Sequence, residues 1–389
     1  MAAMTTTRES LANDVWRACD ILRRDDNAGG VSAYLEHLSW LLFLRFLDAQ
    51  EHRWEREAAR SDQPYTPVLP ERLRWRNWAR RDWSGGELLP FVRERLIPAL
   101  QSLAGTPLRD TVRGIFAGRT VVVAASPQNL QDVLAIVDHI DFDNRDDLFT
   151  VSQVYEELLR RLGRENRVAG EFYTPRPVVR FMVERVDPRP GETVYDPACG
   201  SGGFLVQALQ LMGEAGGGAH LYGQEKKALP ALLSVMNLAL HGVSDPHVTR
   251  GNSLALGLEP DAPGYDVILT NPPFGGTENR RIRGRFPVPA GATELLFLQH
   301  IMARLAPHKG ARCGMVVPEG LLFRGGAFNQ VKADLLQRFD LHTLVSLPPG
   351  TFAPYSAVKT ALLFFRRPGP TREIWVYDLA GAEEGARFS

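Results

Sequence analysis

The sequence predicts a mostly helical region followed by a doubly wound, Rossmann-like α/β domain. Three observations carry that reading. From Val178 onward, short apolar runs alternate with helical stretches, as parallel strands with crossover helices do. A glycine-rich turn, Gly200-Ser201-Gly202-Gly203, joins the first such run to an apolar helix. Before about residue 165, apolar residues recur instead at helical spacing. The expected domains are 1–165, helical, and 166–389, α/β.

Taken in order, Leu11, Val15, Ala18 and Leu22 mark one helix face. Tyr34 to Ala59 is a long amphipathic run built on Leu35, Leu38, Leu42 and Phe46. Six of the seven tryptophans precede residue 84, which predicts an aromatic core or an interface there. Arg72 to Trp83 interleaves arginine with Trp75, Trp78 and Trp83. Such a stretch can grip nucleic acid, though more often it packs. In the second region, strands are expected near 192–196, 220–225, 246–250, 265–270, 312–317, 341–347 and 360–366. Phe364 to Arg367 and Glu373 to Asp378 read as a closing antiparallel pair about a Pro368-Gly369-Pro370 turn.

Composition narrows the function classes. The 389 residues carry 45 basic and 45 acidic side chains, a formal net charge of zero. A self-sufficient DNA binder shows a basic excess, so a DNA-acting chain of this charge needs a partner or a local cluster. Cys19, Cys199 and Cys313 are too far apart for a disulfide framework or a zinc cluster and suit a reducing cytoplasm. The histidines show no ligand spacing, so no metal is expected. No run reaches transmembrane length, and the first residues lack the apolar core of a secretion signal.

The chemistry lies in Asn271-Pro272-Pro273-Phe274, directly after the strand-like Tyr265 to Thr270. An exocyclic amine on a π-system is a poor nucleophile because its lone pair is delocalised. Two acceptors for its N–H groups draw the nitrogen toward tetrahedral geometry. The Asn271 side-chain carbonyl and the Pro272 backbone carbonyl can be those acceptors. Consecutive prolines hold them rigidly, and Phe274 offers a face on which a flipped base can stack. Upstream, Asp196 ends a strand, and Gly200, Ser201, Gly202 and Gly203 let the backbone approach a nucleotide-like ligand. No Gly-Lys-Ser/Thr closes that loop, so it is not a phosphate-binding P-loop. Glu225 ends the next strand, placed to bind ribose hydroxyls, and Asn252 follows the one after, where it can read an adenine edge. The expected electrophile is the sulfonium methyl of S-adenosylmethionine. Arg280, Arg281, Arg283 and Arg285 follow closely and can hold phosphates or form a solvated loop.

These residues resemble the modification (methyltransferase) subunit of type I restriction–modification systems, an N6-adenine DNA methyltransferase family. The likeness spans nearly the whole chain. Gly170-Glu171-Phe172-Tyr173-Thr174-Pro175-Arg176-Pro177 resembles the family's cofactor segment, Asp196 to Phe204 its glycine loop and Gly223 to Glu225 its ribose-binding acid. Thr293 to His300 and Leu347 to Pro354 are also similar to family segments. The resemblance implies a class I S-adenosylmethionine-dependent fold, with Glu171 to Arg176, Ser201 to Gly203 and Glu225 on the cofactor and Asn271 to Phe274 on the flipped adenine. It implies double-stranded DNA as substrate, a specificity subunit that chooses the site, a restriction (endonuclease and translocase) subunit, and two copies of this chain per complex. It also implies a helical tail that docks on the specificity subunit, whereas this sequence stops at Ser389. A methyltransferase for protein glutamine or an RNA base, and a catalytically silent scaffold, are the alternative readings. A cytosine-C5 enzyme is not expected, because no cysteine sits directly after a proline to attack the ring.

Overall fold

Helical spacing near the N-terminus becomes two long helices, α1 (Arg8–Arg24) and α2 (Val31–Ser61). The computed structural model describes residues 8–379 except 27–29, 63, 84–85, 118–120, 122, 145–146, 148–149, 153, 156, 159–173, 214–219, 244, 257, 259–263 and 354–355. In α2, Leu35, Leu38, Leu42 and Phe46 are all buried, as their spacing requires. The helices α3 (Pro107–Phe116) and α4 (Pro127–Asp138) begin alike. Thr106 and Ser126 cap them by accepting backbone N–H groups, and a proline sits in each first turn. The arginine–tryptophan stretch serves packing. Trp75 and Trp78 are buried edge to face at 5.3 Å, and Trp83 lies 5.0 Å from Phe91. Its arginines are turned to carboxylates: Arg74 to Glu55 and Glu71, Arg76 to Asp48, Arg80 to Asp138. Tryptophans buried in this way offer no face to a nucleobase.

The second region is built from α5 (Arg176–Val186), β1 (Thr193–Asp196), α6 (Gly203–Met212), β2 (His220–Glu225), α7 (Ala228–Leu240), β3 (His247–Arg250), β4 (Val267–Thr270), α8 (Thr293–Arg304), β5 (Arg312–Pro318), α9 (Ala327–Arg338), β6 (Asp340–Ser346), β7 (Thr360–Arg366) and β8 (Trp375–Asp378). The strands form one sheet in the order β3-β2-β1-β4-β5-β7-β6-β8. β1 pairs in parallel with β2 and β4, and β4 with β5, whereas β7 runs antiparallel to both β5 and β6. This is a doubly wound α/β sheet whose order reverses between β1 and β4. The residues of β4 are buried throughout, as a central parallel strand's must be.

The chain packs as two compact units, residues 1–165 with 232–247, and residues 166–231 with 248–389. The helix α7 supplies residues to both. Its segment Leu232 to Leu240 is apolar almost all round and buried on every side.

The expected antiparallel pair of the last two strands does not form. β8 instead lies parallel to β6, with Leu344 opposite Val376. The reason is competition for edges. β7 is laddered along its whole length by β5 on one side and β6 on the other. Among the described strands the edge left there belongs to β6, so the chain passes around the start of β6. On the way, the Gly369 N–H donates to the Arg338 carbonyl and the Thr371 N–H to that of Leu336.

Candidate active site

The reversal of strand order leaves a crevice at the carboxyl ends of β1 and β4, where doubly wound sheets bind ligands. Asp196 ends β1. Its Oδ1 accepts from the Ala198 N–H at 3.0 Å and from the Thr270 hydroxyl at 2.6 Å, across to the end of β4. Burial above all, and the nearby Glu225 carboxylate, push its pKa up to about 7 despite those two donors.

The glycine loop follows. Gly202 has φ +80°, which disfavours a side chain, and its N–H closes a turn onto the Cys199 carbonyl at 2.7 Å. Gly203 opens α6 under the guanidinium of Arg176, the first residue of α5, and a Cβ at this position would displace that guanidinium. Thr174, Arg176, Asp196, Gly200, Ser201, Gly203 and Asn271 therefore line one cavity, together with Cys199 and Phe204. Glu225, at the end of β2, is tied to it, accepting from the Gly200 N–H at 3.2 Å and the Lys227 N–H at 2.7 Å. Burial raises the Glu225 pKa. An ionised carboxylate has about four acceptor sites, so further hydroxyls can still bind.

Asn271 follows β4. Its amide Nδ2 donates to the Thr174 hydroxyl at 3.0 Å, which turns Oδ1 the other way. That oxygen is buried and has no hydrogen-bond partner among the described residues. Pro272 is buried, Pro273 exposed and Phe274 half-buried. The Thr293 hydroxyl donates to the Pro273 carbonyl at 3.2 Å and its N–H to the Gly276 carbonyl, so the first residue of α8 pins the turn.

The other expected residues are distributed around this centre. Pro175 precedes α5, its carbonyl accepting from the Val178 and Val179 N–H groups. Asn252, after β3, accepts from the Leu254 N–H and donates to Glu278 at 3.1 Å. Glu278 also pairs with Lys226 at 3.0 Å and is only 9% exposed. Sequence reading missed Glu278. Its one signal was an acid in the loop that follows the Asn-Pro-Pro-Phe turn. Arg280 to Arg283 form a short helix capped by the Asn279 side chain, not an open loop. Arg285 donates to the Ala255 carbonyl. Glu171, Phe172 and Tyr173 lie outside the described residues.

Residues 144–387 match the family described as N-6 DNA Methylase, and residues 11–137 the HsdM N-terminal domain. The chain belongs to the N-6 DNA methylase family. Over 377 residues it is 39% identical to the type I restriction enzyme EcoEI methylase subunit of Escherichia coli, covering 92% of this chain and 75% of that one. A chain solved in work on complex assembly and conformational transition of the type I R-M system superposes with a TM-score of 0.88 at 60% identity, covering 96% of this chain and 77% of that one. A chain from Listeria monocytogenes assigned as a class I S-adenosylmethionine-dependent methyltransferase shares the fold alone, with a TM-score of 0.55 at 16% identity over 77% of this chain and 93% of that one. The family makes this N-6 DNA methylase an adenine-specific DNA methyltransferase of the type I kind, in preference to a glutamine or RNA methyltransferase or a silent scaffold. Among the described residues, no helix is long and apolar enough to cross a membrane, and no group of three or more His, Cys, Asp or Glu could hold a metal.

Proposed function

We propose that the crevice binds S-adenosylmethionine beside a flipped adenine, and that Asn271 activates the adenine N6 amine for methylation. One observation carries this reading: the Asn271 Oδ1 is a buried acceptor with no partner among the described residues. Burying an acceptor in that state costs about 1–3 kcal/mol, a cost that an incoming N–H removes. Thr174 fixes the amide so that the carbonyl is the free end. The Pro272 carbonyl accepts the second N–H, and Phe274 stacks on the base. With both N–H groups engaged, the nitrogen lone pair leaves the ring system and becomes nucleophilic. The amine sheds its proton only after it has become cationic, so no strong base is required.

The cofactor's fit rests on features of this chain. Arg176 supplies a cation that lies directly over Gly203, in the space a side chain there would share with it. The backbone of Gly200 to Gly203 permits close approach. Glu225 binds ribose hydroxyls with its remaining acceptor sites, and Asn252, tied to Glu278, is the proposed reader of the cofactor's adenine edge. When bound, S-adenosylmethionine supplies an electrophilic methyl group. The remaining residues of the family segment, Glu171 to Tyr173, belong to the same proposed site.

The DNA duplex, a specificity subunit and a restriction subunit are the proposed partners, with two copies of this chain per specificity subunit in the cytoplasm. The net charge of zero supports this dependence, since phosphate contacts must be supplied elsewhere. The test is methylome sequencing of cells with and without the gene, with labelled-methyl transfer by the purified chain alone and with its specificity subunit. N6-methyladenine at one defined sequence, formed only by the complex, is expected. Methylation of cytosine, of RNA or of protein would overturn the reading.

A further inference from the structure

Phe323 is the most exposed large hydrophobic side chain among the described residues, at 79%. It ends a short helix, Gly320–Phe323, just beyond the carboxyl end of β5. β5 lies beside β4 in parallel register, Thr270 opposite Met315, so this turn and the Asn271 turn leave the same edge of the sheet. A chain of contacts joins them. Arg324 lies 3.8 Å from Glu294, which is 5% exposed on its side chain, and the adjacent Thr293 holds the Pro273 carbonyl.

The turn that carries the ring is pinned on both sides. Lys332 Nζ donates to the carbonyls of Leu322 and Arg324, on either side of Phe323, at 2.7 and 3.1 Å. The Arg324 guanidinium lies 5.3 Å over the Phe328 ring. The surroundings are not those of a protein-docking patch, which gathers a cluster of apolar side chains at its centre. Arg324, Gly325, Gly326, Asn329 and Gln330, in the turn and helix start that follow Phe323, are all exposed. An exposed apolar ring, on a turn pinned among cationic and polar neighbours, suits insertion between bases under a phosphate backbone.

We infer that Phe323 enters the duplex and stacks in the space vacated by the flipped adenine. Extruding a base leaves its neighbours unstacked, and a ring at that position restores the lost contact. This role rests on the DNA reading above. The contacts of Arg324 with Glu294 and of Thr293 with the Pro273 carbonyl link this turn to the turn proposed to receive the base.

The test uses the complex assembled with its specificity subunit and a duplex carrying 2-aminopurine in place of the methylated adenine. The 2-aminopurine emission, duplex affinity, assembly and cofactor affinity are measured for the parent, Phe323→Ala and Phe323→Trp. Phe323→Ala should lower the flipped-base emission and weaken duplex binding about tenfold, the value of one base–aromatic stack. Assembly, thermal stability and cofactor affinity should not change, and Phe323→Trp should restore both lost signals. Parent-like emission in Phe323→Ala, no rescue by Phe323→Trp, or loss of assembly with the specificity subunit would each overturn the inference. The last would assign the ring to a protein contact. A parent complex that methylates no adenine would instead defeat the functional reading, before any variant is compared.

Discussion

Replacing Asn271 by alanine should separate catalysis from folding, and the structure sets both magnitudes. The side chain makes one described hydrogen bond, Nδ2 to Thr174 at 3.0 Å, and buries one acceptor that lacks a partner. Losing the first costs about 0.5–1.5 kcal/mol, and removing the second returns about 1–3 kcal/mol. Stability should therefore hold or rise slightly. In the reaction, the Oδ1 is one of two acceptors that rehybridise the amine. Loss of one preorganised contact of this kind lowers kcat by about 10²–10³, or about 2.7–4 kcal/mol. Cofactor affinity should stay within about threefold, because a change below about 0.7 kcal/mol is expected where no cofactor contact is lost. Single-turnover transfer of labelled methyl groups in the assembled complex, calorimetry with the cofactor and thermal unfolding give the three readouts. Turnover within tenfold of the parent would refute the proposed activation. So would a destabilisation of more than about 2 kcal/mol, which would make Asn271 a structural residue.

Three further outcomes are expected. Glu225→Ala should weaken S-adenosylmethionine binding by about 1–3 kcal/mol, read by calorimetry, while unchanged affinity would remove Glu225 from the cofactor site. Asp196, whose pKa is raised from 3.8 to about 7, stabilises the fold fully below pH about 4 and loses that contribution as pH rises to about 7, a span of about 4 kcal/mol. Asp196→Asn should therefore gain stability relative to the parent as pH rises from 4 to 8, and pH-independent differences in thermal unfolding would contradict the assignment. Arg280 and Arg281 are exposed, so replacing both by alanine should flatten the log–log salt dependence of DNA binding by about 0.9 per lost phosphate contact. An unaltered slope would make them solvated bystanders.

The sequence by itself determined what depends on local pattern. Strand positions were legible because buried parallel strands are short apolar runs between turn signals. The glycine loop and the Asn-Pro-Pro-Phe turn were legible because backbone freedom and rigidity are properties of single residue types. Interactions between distant segments were decided only by the tertiary structure. β8 joined β6 because both edges of β7 were already taken, which no local pattern records. The tryptophan-rich stretch became core because carboxylates from elsewhere in the chain drew its arginines to one side. Glu278 acquired its place by linking Lys226 and Asn252, residues that precede it by 52 and 26 positions. Most directly, the sequence names Asn271, but only the fold brings Thr174 to its amide from 97 residues away and leaves its carbonyl buried and ready to accept. The physical reason is that propensity and turn chemistry act over a few residues, whereas burial, pairing and the orientation of a polar group depend on what the rest of the chain places around it.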